Sequence, residues 1–213
     1  LLPAAQFLDR PVHDRVGPLH VLAVMGDAPG AGRELALIQA AVGASRVDVI
    51  AGADANPTRI LTLSAHYDAL HFTVHAIADD RDPLASHLRL APETQRHGFV
   101  DPTDIARARW HTPLVVLSAC ETLEGPVYKG EGMMGLARAF LETGAGTVVA
   151  TAWPVGSASA DLMGEFYRRL TSGSTPAAAL RTSQLALRRS PATSHPFFWA
   201  GFAAISGKER ATP

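Results

Sequence analysis

Residues 114–120 read LVVLSAC, and the chain continues ETLEGPVYKGEGMMGLARAF. Leu114 to Leu117 are apolar at every position, with valine at the centre. Unbroken apolarity of this kind suits a strand covered on both faces, as in a parallel sheet, better than the alternation of a half-exposed strand. The run ends on Cys120, the only cysteine in 213 residues. Five other segments have the same character: LHVLAVMG (19–26), VDVIAG (47–52), ALHFTVHA (69–76), GTVVATAWPV (146–155) and FFWAGFAAIS (197–206).

Between these runs lie stretches of helical period at 31–43, 56–65, 132–143, 158–171 and 176–189. GMMGLARAFLETG sets Met133, Leu136, Ala137, Phe140 and Leu141 on one stripe and offers Gly144 as its cap. Thr175 followed by Pro176 is a helix start. Alternating strands and helices joined by right-handed crossovers predict an α/β fold, a three-layer sandwich with a mostly parallel sheet of about six strands flanked by helices. The stretch 77–109, with Pro83, Pro92 and Pro102, reads as surface loop with one short helix near 102–108.

Composition narrows the function classes. Hydrophobic residues at 47% and charged residues at 18% describe a globular chain, and 19 basic against 20 acidic residues give no electrostatic case for nucleic acid or an anionic membrane. One cysteine can form neither an internal disulfide nor a thiolate metal site. With no secretory pattern and no run near the ~18 apolar residues of a spanning helix, the expected location is cytoplasmic. The chain opens on Leu1 and reads as one domain, residues 1–213, excised from or C-terminal in a larger protein.

Ligands of open α/β sheets sit outside the carboxyl ends of the strands. Those ends are Gly26-Asp27, His75-Ala76, Cys120-Glu121 and Pro154-Val155. Two of them carry a thiol and an imidazole. A thiol acts as a nucleophile in its thiolate form, which a neighbouring imidazole can provide at neutral pH. Taken alone, Cys120 is also compatible with a small buried hydrophobe. His71 shares a strand face with His75 and is expected inside. The glycine-rich GDAPGAGR (26–33) lacks the lysine and spacing of a phosphate loop, and neither HExxH nor a nucleophile elbow occurs. No metal or other cofactor is implied.

The blocks LVVLSACET, GEGMMGLARAFLETGAGTVVATAWPV and HPFFWAGFAAIS, preceded by ALHFTVHA, resemble the CHAT family of caspase-like cysteine peptidases from about Leu19 to Ser206. As in caspases, the histidine precedes the cysteine, here by 45 residues, although S-A-C-E-T differs from the caspase signature. The resemblance implies a cysteine endopeptidase with Cys120 as nucleophile, His75 as general base and acid, and an oxyanion hole formed by the backbone N–H groups of Cys120 and Ala76. It names no third orienting side chain. Where the family commonly has glycine this chain has Ala76, and a positive φ there would cost about 1 kcal/mol. Asp79, Glu121, Trp153, Val155 and Gly156 complete the expected substrate-binding set; Gly156 and Ser157 offer no carboxylate for a basic P1 side chain. The family further implies a regulated effector in bacterial signalling or immunity, with a protein substrate such as a gasdermin-like pore former. A sensor or repeat domain, or an activator protein, would control it. The alternative is a catalytically silent caspase-like scaffold.

Overall fold

The computed structural model describes residues 18–63, 66–79, 81–94, 97–108, 110, 112–118, 120–121, 131–153 and 158–206. Its main sheet has six strands: β1 (Val21–Met25), β2 (Val47–Ala51), β3 (Ala69–Thr73), β7 (Leu114–Leu117), β9 (Thr147–Thr151) and β10 (Phe202–Ser206). They lie in the order β2-β1-β3-β7-β9-β10, all parallel except β10, which runs antiparallel to β9. This is the mostly parallel α/β sandwich that the apolar runs predict, and it fits the caspase-like fold that the resemblance implies.

Period-2 alternation divides the central strands between two cores. Leu22, Val24, Leu70, Phe72, Val115 and Leu117 face one side, with Ile60 of α2 (Pro57–Leu61), Ile105 of α3 (Pro102–Arg107) and Leu136 and Phe140 of α4 (Glu131–Glu142). Val21, Ala23, Ala69, Leu114 and Val116 face the other, with Ile38 of α1 (Ala31–Val42), Phe166 and Tyr167 of α5 (Ala158–Thr171) and Leu180 of α6 (Pro176–Arg189). Side-chain caps start α2, α3 and α6: Asn56 accepts from the Arg59 amide, Asp101 from Asp104 and Thr175 from Ala178. Gly144 closes α4 at φ 107°, with the Ala145 amide donating back to the Phe140 carbonyl. Among the described residues no helix is long and apolar enough to cross a membrane.

Several sequence expectations need correction. The run 197–206 becomes strand only from Phe202, after a short helical turn at Pro196–Phe198. The run 69–76 is not one strand: it breaks at Val74 into β3 and the short β4 (His75–Ile77). The run 114–120 likewise breaks into β7 and β8 (Cys120–Glu121). The stretch 77–109 also holds β5 (His87–Arg89) and β6 (Phe99–Val100) besides its helix. These four short strands form a second sheet, in the order β6-β5-β4-β8. Leu88 and Val100 pair across β5 and β6 and are fully buried, so this sheet extends the first core beyond the carboxyl ends of β3 and β7.

Candidate functional site at the carboxyl end of the sheet

The candidate site is assembled by the strand continuations. In β4–β8 the pairing is parallel, and His75 lies abreast of Cys120, as Ala76 does of Glu121. Neighbouring strands run about 4.8 Å apart, so the two chemistry-bearing residues occupy adjacent positions although 45 residues separate them in the chain. On its other side β4 runs antiparallel to β5, and His75 pairs with Arg89.

His75 is 8% exposed. Its Nε2 lies 3.3 Å from Oδ1 of Asp27, whose other carboxylate oxygen is 3.8 Å from an Arg89 guanidinium nitrogen. Its Nδ1 is buried and has no hydrogen-bond partner among the described residues. Asp27 comes from the turn after β1. There the Gly26 amide donates to the Thr73 carbonyl at 2.8 Å. A Cβ on Gly26 would stand 3.2 Å from the Val74 Cα, so the absence of a side chain lets this turn lie against the β3–β4 break.

The remaining predicted residues fall in different places. Ala76 is fully buried in the β4 ladder, between Leu88 and Glu121. Among the described residues only glycines have positive φ, so Ala76 carries none of the strain that a left-handed position would impose. Asp79 orders a turn: its Oδ1 accepts from the amides of Arg81 and Asp82 at 2.8 and 2.9 Å, and these bonds hold its carboxyl below the ordinary range. Its own amide donates to Ser86 Oγ. Trp153 is half-buried against the second core, on the face covered by α1, α5 and α6, and its indole N–H donates to the Phe197 carbonyl. Val155, Gly156 and the side chains of Cys120 and Glu121 lie outside the described residues.

His71 is fully buried, as its inward position on β3 predicts. Sequence reasoning passed over Asp27 and Arg89. Asp27 did stand at a strand's carboxyl end, which is the signal that could have found it. Arg89 lay in a stretch read as loop. No group of three described His, Cys, Asp or Glu side chains converges as a metal-ligand set.

The CHAT domain pattern matches residues 7–208. The chain belongs to the CHAT domain family. Tetratricopeptide repeat protein 28 of Mus musculus is 35% identical to it over 111 residues, 52% of this chain and 4% of that protein. The Homo sapiens protein of the same name is 35% identical over 103 residues, 48% of this chain and 4% of its own length. The chain thus spans about 4% of the curated relatives it matches. Saccharomyces cerevisiae separase, solved in complex with securin, superposes with a TM-score of 0.51 at 12% identity, over 92% of this chain and 13% of the separase chain. That likeness is one of fold.

Proposed function

We propose that this CHAT domain is a cysteine endopeptidase working through a Cys120/His75 dyad. The parallel register that sets Cys120 abreast of His75 carries the reading. In the proposed reaction His75 takes the thiol proton as the Cys120 sulfur attacks the scissile carbonyl carbon. Backbone N–H groups of Cys120 and Ala76 donate to the developing oxyanion. The tetrahedral intermediate collapses to a thioester as His75 gives its proton to the leaving amine. Water activated by His75 then hydrolyses the thioester and restores the thiol.

Substrate recognition is assigned to Asp79, Glu121, Trp153, Val155 and Gly156, and the substrate to a protein partner such as a gasdermin-like pore former or another effector. The likeness to tetratricopeptide repeat proteins supports control by a repeat or sensor module. The setting proposed is a regulated effector of bacterial signalling or immunity in the cytoplasm.

The test is the rate of Cys120 alkylation by iodoacetamide from about pH 5 to 9, in the wild type and His75→Ala, followed by a peptide screen with varied P1 residues. Fast labelling that persists below pH 7 and slows in the variant is the expected result. Labelling that follows an ordinary thiol titration near 8.5 and ignores His75, both alone and with the activating partner bound, would identify a silent scaffold instead.

A further inference from the structure

His75 has two ring nitrogens, and their surroundings differ. A neutral imidazole carries one N–H and one bare nitrogen, and which is which follows from the partner that each meets. Nε2 faces a carboxylate oxygen of Asp27 at 3.3 Å. An ionised carboxylate only accepts, so the contact favours the tautomer with its proton on Nε2. Nδ1 is buried without a partner among the described residues. A buried ring nitrogen left unpartnered is unfavourable, and the residue abreast of His75 on β8 is Cys120.

We infer that Asp27 is a positioning residue that fixes the His75 tautomer, with the proton on Nε2 and the Nδ1 lone pair free to receive the thiol proton. This inference rests on the Cys120/His75 reading. The turn after β1 brings Asp27 to the imidazole, and the two strands beside β4 place Arg89 of β5 and Cys120 of β8 in register with His75. Arg89 lies 3.8 Å from the second carboxylate oxygen and pairs with Asp27 from the β5 side. The Gly26 amide bond to Thr73 fixes the turn from which Asp27 projects. Among the described residues Asp27 meets His75 and Arg89. It acts through His75, as a third group that orients a base.

The substitution that separates orientation from mere packing is Asp27→Asn. Asparagine keeps the shape, but its amide can donate to Nε2 and so drive the proton onto Nδ1, the wrong tautomer for a base at that nitrogen. The readout is the long-range 1H–15N correlation of the His75 ring, recorded on the 213-residue chain with Cys120→Ala to remove the thiol. The His71 ring, held by Glu34 and Tyr167, reports in the same spectrum that the fold is intact. With Asp27 present, Nε2 should show the protonated signature and Nδ1 the bare one. Asp27→Asn should move the population toward protonated Nδ1, and Asp27→Glu should restore the original pattern.

In the chain that retains Cys120, Asp27→Asn should slow alkylation at neutral pH about tenfold or more, while Asp27→Glu recovers part of the rate. Identical ring signatures in all three proteins would overturn the inference, whatever the alkylation rates. A tautomer that responds to Asp27 while labelling stays slow and independent of His75 would keep the assignment and overturn the peptidase reading.

Discussion

His71 shows what a histidine does when its partners are complete. Its Nε2 lies 2.8 Å from Glu34 Oε1 and 3.0 Å from Thr73 Oγ1, and its Nδ1 3.1 Å from the Tyr167 hydroxyl, all buried on the face of the sheet that α1 and α5 cover. With the proton on Nε2, the ring donates toward Glu34 and accepts from the Tyr167 O–H. Burial, and then the Glu34 charge, hold the Tyr167 phenol well above its usual value of 10. Tyr167→Phe removes the donor and leaves Nδ1 unpartnered, so a loss of about 1–3 kcal/mol is expected in urea unfolding at neutral pH. The pH dependence has a definite sign. Because the folded value is raised, this group's stabilisation is complete below about pH 10 and is lost at higher pH, once the unfolded phenol ionises and the buried one does not. Tyr167→Phe should therefore show a shallower alkaline decline than the wild type. Equal slopes in the two proteins would refute the assignment of Tyr167 as a buried, neutral donor.

At the scale of elements, the two breaks were the part of the fold that sequence could not reveal. LHFTVHA is apolar and strand-forming through Val74, and nothing in its composition separates β3 from β4. The break arises from partners distant in the chain: β3 pairs with β1 and β7, whereas β4 pairs with β5 and β8. β5 was illegible for the same reason, since three residues between prolines become a strand only when β4 supplies the ladder. The helices were readable because their signals are local, as Thr175-Pro176 and Gly144 show. The site was half readable: the strand-end rule picked out His75 and Cys120 as candidates, and it reached Asp27 without assigning it a partner. Gly26 ties these elements together. In Gly26→Ala the new Cβ meets the Val74 Cα at 3.2 Å and the Thr73 oxygen at 3.4 Å, so backbone rather than a flexible side chain must yield. The expected cost is about 1 kcal/mol, the low end for overpacking, together with displacement of Asp27 from His75. The substituted chain should show the His75 ring signature change along with the lower unfolding midpoint. A lower midpoint with an unchanged ring would mean that the turn relaxes without moving Asp27.

Across the whole molecule, the strand order explains why the site lies where it does. From β1 the chain proceeds outward to β2 and then returns to the other side of β1 as β3, so the topology reverses between β1 and β3. Helices diverge to opposite faces at such a point and leave a crevice at the carboxyl ends of the strands. Asp27 follows β1 and His75 follows β3, on the two sides of that reversal. The floor of the site is the first core, which runs without interruption from Val24 and Phe72 through Val74 and Ala76 to Leu88 and Val100. Phe140 of α4 anchors this core, with its ring centroid 5.7 Å from Phe72 and 5.1 Å from Trp110. It is fully buried, so Phe140→Ala should cost about 3–5 kcal/mol, a large share of the roughly 5–15 kcal/mol that holds a domain folded. Phe140→Leu, which retains most of the volume, should cost less than about 1.5 kcal/mol. Urea unfolding should show the two variants with falling midpoints and an unchanged m value. Because β4 and β5 rest on the same core, the alanine variant should also speed amide exchange at Ala76 and Leu88 by more than at Leu180, which packs on the far face. A uniform acceleration at all three amides would instead show that the two cores unfold as one unit, with no independent softening of the floor beneath His75.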